Sequence, residues 1–112
     1  MTVPAPAEIS PTEVQALIGR GDAVRLVDVR QPWEYENAHI PGVLLIPLGE
    51  LTRRASELDP NERIICICEH GIRSRHAAQS LIAQGFSDAA TMTGGMAEYV
   101  GPVEVNSSES SF

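Results

Sequence analysis

The sequence predicts an α/β fold, a mainly parallel central sheet flanked by helices on both faces. Three observations predict it. The stretch Arg63 to Ile67 ends in the unbroken apolar run Ile64-Ile65-Cys66-Ile67, the sign of a parallel strand covered on both sides. Short apolar runs alternate with helical patterns along the chain. A chain of 112 residues with 43% hydrophobic content is long enough for one core and one domain.

The elements follow in order. Residues 1–7 are rich in proline and alanine and are expected to be disordered. Ser10-Pro11-Thr12-Glu13 is a capping box with proline at the first helical position. Val14, Leu17 and Ile18 then share a helical face, and the stretch from Gly19 to Asp22 ends that helix. Val24 to Val29 reads as a strand and Pro32 to Asn37 as a short helix. His39 to Gly42 is a turn. Val43 to Ile46 reads as a second buried strand, and Leu48 to Leu58 as a helix broken at Pro60-Asn61. After the strand at Arg63 to Ile67, Ser74 to Gln84 is a helix whose inner stripe is Ala77, Ala78, Leu81 and Ile82. Gly85 stops it, with Phe86 folding back as hydrophobic closure. Phe86 to Thr93 is a weaker strand, and Gly94-Gly95 opens a last short helix through Val100. Residues 102–112 are Ser- and Glu-rich and read as a flexible tail. The folded domain is therefore expected over residues 8–101.

Composition narrows the function. A net charge of −7 argues against non-specific nucleic-acid binding. The acidity reads as a solubility feature, with a basic protein or carrier as the alternative partner. No apolar stretch approaches the length of a membrane helix. The N-terminus shows neither a basic nor an apolar signal region, which favours the cytoplasm, where thiols stay reduced. Cys66 and Cys68, two apart on one strand, cannot bridge without severe strain. No second cysteine pair completes a zinc site. Cys68, His70 and His76 lack a fourth member, so no metal is expected.

The densest chemistry lies in Cys68-Glu69-His70-Gly71-Ile72-Arg73-Ser74. A cysteine at the tip of a buried strand, a short glycine-containing loop and an arginine at a helix start form a layout for a reactive thiolate. The loop N–H groups of Glu69 to Ser74 form an anion nest. The helix N-terminus and Arg73 add positive charge. Together they are expected to lower the Cys68 pKa below its free value of about 8.5, giving a nucleophile at neutral pH. Gly71 supplies a positive φ or a close backbone approach. Arg73 is expected to hold loop carbonyls or a substrate oxyanion. His70 either stabilises the thiolate when protonated or is a solvent-exposed loop side chain. Cys66, mid-strand between isoleucines, is a core residue, and His76 is a surface residue. Asp28 and Arg30 sit at the same sheet edge, as an ion pair organising the site floor or as a simple strand-end cap. Trp33 and Tyr35 read as packing residues.

The spacing of this loop is C-x4-R, one residue shorter than the C-x5-R loop that must encircle a phosphoryl group in cysteine-dependent phosphatases. The tighter ring suits a single sulfur atom. The C-x-x-G-x-R-S loop resembles the active-site loop of the rhodanese family of sulfurtransferases. Asp28-Val29-Arg30-Gln31-Pro32-Trp33-Glu34-Tyr35, His39-Ile40-Pro41-Gly42 with Ile46-Pro47-Leu48, and Gly94-Gly95-Met96 resemble three further segments of that family, in family order. The closing segment lacks the family's tryptophan, with Tyr99 one position away. The resemblance gives His39 a structural role.

It also implies a ping-pong transfer. Cys68 takes a sulfane sulfur from thiosulfate or a persulfide donor and holds it as a persulfide among Glu69 to Ser74. It then passes the sulfur to a thiol, cyanide or a sulfur-carrier protein, with no metal or organic cofactor. Two other classes remain open at this point: a non-catalytic rhodanese-like interaction or regulatory module, and a cysteine-dependent phosphatase or arsenate reductase.

Overall fold

The computed structural model describes residues 4–105 of the chain. Five strands form one sheet: β1 (Ala7–Ile9), β2 (Arg25–Asp28), β3 (Leu44–Leu45), β4 (Ile64–Ile67) and β5 (Ala89–Met92). All neighbours are parallel, in the order β1-β5-β4-β2-β3. Helices α1 (Pro11–Arg20), α2 (Pro32–Asn37), α3 (Leu51–Arg54) and α4 (Ile72–Ala83) connect them, and a 3-10 turn at Gly95–Ala97 follows β5.

The central position of β4 explains its composition. Every residue of Ile64–Ile67 is buried, and successive side chains point to opposite faces. Ile64 and Cys66 join Val27, Val29 and Ala89 in a core with Leu51, Ala55, Ala77, Ala78 and Leu81, under α3 and α4. Ile65 and Ile67 join Ile9, Leu26, Ala90 and Met92 in a second core with Val14 and Leu17 of α1. Helices therefore cover both faces, as the sequence pattern indicates.

Local signals set the ends of α1. Ser10 Oγ accepts the Glu13 N–H at 3.1 Å, while the Glu13 carboxylate accepts the Ser10 N–H at 3.3 Å. Gly21, at φ 71°, closes the other end. At the end of α4 the Phe86 N–H reaches back to the Leu81 carbonyl at 3.0 Å, with Phe86 buried behind it.

Four elements differ from the sequence expectation, one of them the last helix, expected through Val100 and observed as the 3-10 turn Gly95–Ala97. The sheet begins at Ala7, which pairs with Ala90, inside the stretch 1–7. A three-residue strand carries no periodicity of its own, so only its partner reveals it. The span 48–58 is a 3-10 turn, the four-residue α3 and a second 3-10 turn rather than one helix. Its apolar positions Leu48, Leu51, Ala55 and Leu58 stay on one side under either geometry. β3 is a two-residue, half-buried edge strand rather than a buried one.

At the other end, His39 and Glu104 exchange backbone hydrogen bonds of 2.9 and 2.8 Å, so a bridge falls inside the stretch 102–112. The rest of the two expected terminal segments, residues 1–3 and 106–112, lies outside the described residues. Among those described, no helix is long and apolar enough to cross a membrane.

Candidate functional site

Parallel strands place all their C-terminal ends on one edge, where open α/β sheets bind ligands. β2 and β4 are neighbours there, with Asp28 in register with Ile67. That register brings Asp28 and Arg30 beside the loop that begins at Cys68. Cys68 itself is only 1% exposed.

The loop turns back over the cysteine and enters α4 at Gly71, which adopts φ 94°. The Gly71 N–H donates to Cys68 Sγ at 3.1 Å, and the Ser74 N–H donates at 3.2 Å. Ser74 Oγ lies 3.4 Å from the sulfur, donates to the Gly71 carbonyl at 3.2 Å and shares a 2.6 Å hydrogen bond with Thr91 Oγ1. The N–H groups of Glu69, His70, Ile72 and Arg73 donate to no protein acceptor among the described residues. Successive free N–H groups at a turn and helix start make a concave site for negative charge.

The underside of the loop rests on the Gly94-Gly95 turn. The Met96 and Ala97 N–H groups donate to the Cys68 and Glu69 carbonyls, each at 2.9 Å. Gly95 adopts φ 64°, and a Cβ there would stand 2.5 Å from the Cys68 carbonyl oxygen. A Cβ on Gly71 would come within 3.2 Å of the Gly94 nitrogen. Both glycines are thus demanded by close backbone approach as well as by φ.

Two arginines flank the loop, and both are engaged. Arg73 does not use its terminal nitrogens on the loop carbonyls. They donate to the two Glu34 carboxylate oxygens at 2.7 and 2.8 Å, joining α4 to α2. The Arg73 hydrogen bonds, working against burial, hold the Glu34 carboxyl down at about 2. Glu34 lies within the recognised Asp28–Tyr35 stretch, but nothing in sequence spacing pairs it with a residue 39 positions away.

Arg30 is buried and grips the equally buried Asp28 through Nε at 3.0 Å and Nη2 at 2.8 Å. It also donates to the Ala38 carbonyl at 2.7 Å and to Glu69 Oε1 at 3.2 Å. Burial opposes its charge, but Asp28 and then Glu69 outweigh that cost and raise its pKa. The Asp28–Arg30 pair therefore reaches the first residue of the loop rather than only capping its own strand.

The other candidates separate cleanly. His70 and His76 are exposed. His39 is buried, stacked on Tyr35 at 3.8 Å between ring centres, with Nδ1 2.8 Å from the Tyr35 carbonyl. Cys66 is fully buried, and burial, reinforced by Cys68, pushes its thiol up to about 12. Tyr99 packs into the second core and donates from its hydroxyl to the Pro102 carbonyl at 3.3 Å. Trp33, expected as a packing residue, is instead 65% exposed. Beside the loop lies a pocket of about 520 Å³ lined by Arg30, Trp33, Glu34, Glu69, Met96, Tyr99 and Val103 among others. Among the described residues no three His, Cys, Asp or Glu side chains gather as a metal-holding group.

Residues 10–101 match the family model of the rhodanese-like domain. The chain belongs to the rhodanese-like family. Its fold agrees with that membership: a crystal structure of a rhodanese-like domain protein from Staphylococcus aureus superposes with a TM-score of 0.84 at 28% identity, covering 90% of this chain and 99% of that one. Thiosulfate sulfurtransferase GlpE of Pseudomonas syringae pv. syringae is 37% identical over 87 residues, which span 78% of this chain and 80% of GlpE. The Bacillus subtilis protein named "Putative sulfur carrier protein YrkF" is 41% identical over 97 residues, 87% of this chain. This rhodanese-like chain spans about half of YrkF, 52% of its length. The C-x4-R loop and the three flanking segments read in the sequence all fall inside the matched region.

Proposed function

We propose that this rhodanese-like domain is a sulfurtransferase in which Cys68 carries a sulfane sulfur as a persulfide. The observation that supports it most is the pair of N–H groups, from Gly71 and Ser74, aimed at Cys68 Sγ at 3.1 and 3.2 Å. Two N–H dipoles directed at one sulfur stabilise negative charge on it, and a thiolate is the form that attacks sulfur. In the first half-reaction the Cys68 thiolate attacks the outer sulfur of the donor. A new S–S bond forms, the donor's own S–S bond breaks, and the bonding pair leaves with the donor's remaining fragment. In the second, an acceptor thiol, cyanide or a sulfur-carrier protein attacks the outer sulfur and restores the thiolate. The first step exchanges one S–S bond for another; in the second the Cys68 S–S bond breaks as the outer sulfur bonds to the acceptor's sulfur or, with cyanide, to carbon, so neither step requires a metal, an organic cofactor or an external oxidant.

The four loop N–H groups without protein acceptors suit this cycle. An added sulfur held among them would meet preformed donors that need no reorganisation as charge moves outward by one bond. The residues proposed to hold the persulfide are Glu69, His70, Gly71, Ile72, Arg73 and Ser74, through their backbone. Arg73, occupied by Glu34, acts as a brace between α4 and α2, and Asp28 and Arg30 position Glu69. Similarity to GlpE and YrkF, by their names, is consistent with this chemistry. A cytoplasmic setting would keep Cys68 reduced and remains part of the proposal.

Thiocyanate formation from a sulfane-sulfur donor and cyanide tests the reading. Wild-type protein should turn over and Cys68→Ser should not, while Cys66→Ala retains activity. Equal turnover in the Cys68→Ser variant would remove Cys68 from the mechanism.

A further inference from the structure

We propose that Thr91 is a positioning residue for Cys68: its hydroxyl donates to Ser74 Oγ and so frees the Ser74 hydroxyl to donate to the Cys68 thiolate. The inference rests on the sulfur-transfer reading of Cys68 and adds to it a residue outside the cysteine loop, on another strand. Thr91 lies in β5, in register with Cys66 of β4. It follows Ala89 by two residues and so shares the sheet face that packs under α4. Ser74 stands in the first turn of α4. Both residues are buried, and their hydroxyl oxygens are 2.6 Å apart.

Counting hydrogens assigns the direction of that bond. Each hydroxyl has one hydrogen to donate and two lone pairs. Among the described residues, Ser74 Oγ is the one partner of Thr91 Oγ1. Ser74 Oγ also faces the Gly71 carbonyl at 3.2 Å and Cys68 Sγ at 3.4 Å. If Ser74 gave its hydrogen to Thr91, the Thr91 hydrogen would be buried without an acceptor, which is costly. Thr91 therefore donates, and the Ser74 hydrogen has two places to go.

Beside a thiol, that hydrogen rests on the Gly71 carbonyl while the S–H points at Ser74 Oγ. Beside a thiolate, it turns to Sγ and joins the Gly71 and Ser74 N–H groups, which donate at 3.1 and 3.2 Å. A bond to a charged sulfur is stronger than one to a neutral carbonyl. A hydroxyl that itself receives a hydrogen bond is also the better donor. Sγ carries negative charge as the nucleophile of the first half-reaction and as the leaving group of the second. Thr91 supports it in both, at one remove and without touching substrate.

The pH dependence of Cys68 alkylation by iodoacetamide tests this on the whole chain. Thr91→Val keeps the shape and removes the hydroxyl. Its alkylation midpoint should rise by about half a pH unit or more, the scale of one hydrogen bond. Below the wild-type midpoint it should react about two- to threefold more slowly, and above its own midpoint at least as fast, because the more basic thiolate is the better nucleophile. Damage to the site's packing would slow the reaction at every pH instead. Thr91→Ser keeps the hydroxyl and removes the methyl, so it should melt lower yet retain the wild-type midpoint. Thr91→Val added to Ser74→Ala should move the midpoint no further than Ser74→Ala alone, since Thr91 acts only through Ser74.

The charged and titratable groups around the sulfur are the same in every variant: Arg73 and Arg75 of α4, Glu69 and His70 of the loop, Cys66, and the Asp28–Arg30 pair. A moved midpoint therefore reports the hydroxyls. If Thr91→Val does not fold, Thr91→Ala against Thr91→Ser makes the same comparison. A Thr91→Val midpoint equal to wild type, or a Thr91→Ser midpoint moved as far as that of Thr91→Val, would overturn the inference and leave sulfur transfer standing. Wild type that gains no sulfur from thiosulfate would remove the transfer reading, while the midpoints still decide whether Thr91 supports the thiolate.

Discussion

Arg73 and Glu34, 39 residues apart in sequence, meet through two parallel hydrogen bonds of 2.7 and 2.8 Å. One stands in the first turn of α4, directly after the cysteine loop. The other is the third residue of α2, beside the pocket mouth. The pair ties the loop to the helix that follows β2. It also leaves the arginine with less charge to offer a ligand than its place in the motif suggests.

Stability should carry the signature of this pair. The folded state holds Glu34 at about 2, below its ordinary value of 4.5. A depressed carboxyl stabilises the fold fully above its unfolded value, and that contribution disappears as pH falls from about 4.5 toward about 2. The Arg73 side chain is 35% exposed, so solvent screening reduces the value well below what the shift alone implies, to about 1 kcal/mol. Urea unfolding of Glu34→Gln should show this deficit at pH 7 and almost none near pH 2.

Gly95 should tolerate no side chain. An added Cβ meets the Cys68 carbonyl oxygen at 2.5 Å, on a backbone at φ 64°. Gly95→Ala is expected to destabilise the domain by about 1–3 kcal/mol and to slow sulfur loading, since the displaced atoms carry the loop. Gly49→Ala, with nothing within 4 Å of its Cβ, should remain within about 0.5 kcal/mol of wild type in the same melt.

The two cysteines should differ sharply toward iodoacetamide. Both sulfurs are buried, but burial pushes the Cys66 thiol up to about 12, so at pH 8 it is protonated, while Cys68 lies at the strand end with two N–H donors on its sulfur. One equivalent of label is expected on the native protein, located on Cys68 by peptide mapping. Both cysteines should label in urea. Native labelling at Cys66 would contradict the core placement.

Much of this was readable before any coordinates. The Ile64–Ile67 run announced a central strand because a strand covered on both faces leaves no polar alternation. The Ser10–Glu13 box and Gly85 announced their helix ends because caps are local chemistry, whereas the start of α4 lies at Ile72, two residues before the expected Ser74. Four motif segments in order carried the family. β1 was not legible, since a three-residue strand exists only through β5. The 48–58 span hid its 3-10 turns because Leu48, Leu51, Ala55 and Leu58 keep to one side in either helix although the two repeats differ. In the candidate site, the position of Cys68 at a strand end before a glycine loop was legible, and an Asp28–Arg30 ion pair was one of two readings the sequence left open. The reach of Arg30 to Glu69 and the capture of Arg73 by Glu34 were not legible. Both depend on which strands and helices end side by side, and that is a property of topology rather than spacing.

The most direct test of the central claim is intact-protein mass spectrometry after reduced protein is incubated with thiosulfate or an alkyl persulfide, beside Cys68→Ser. The account predicts one added sulfur on wild type, removed by cyanide as thiocyanate, and none on the variant. No adduct on wild type with either donor, or an equal adduct on Cys68→Ser, would contradict it.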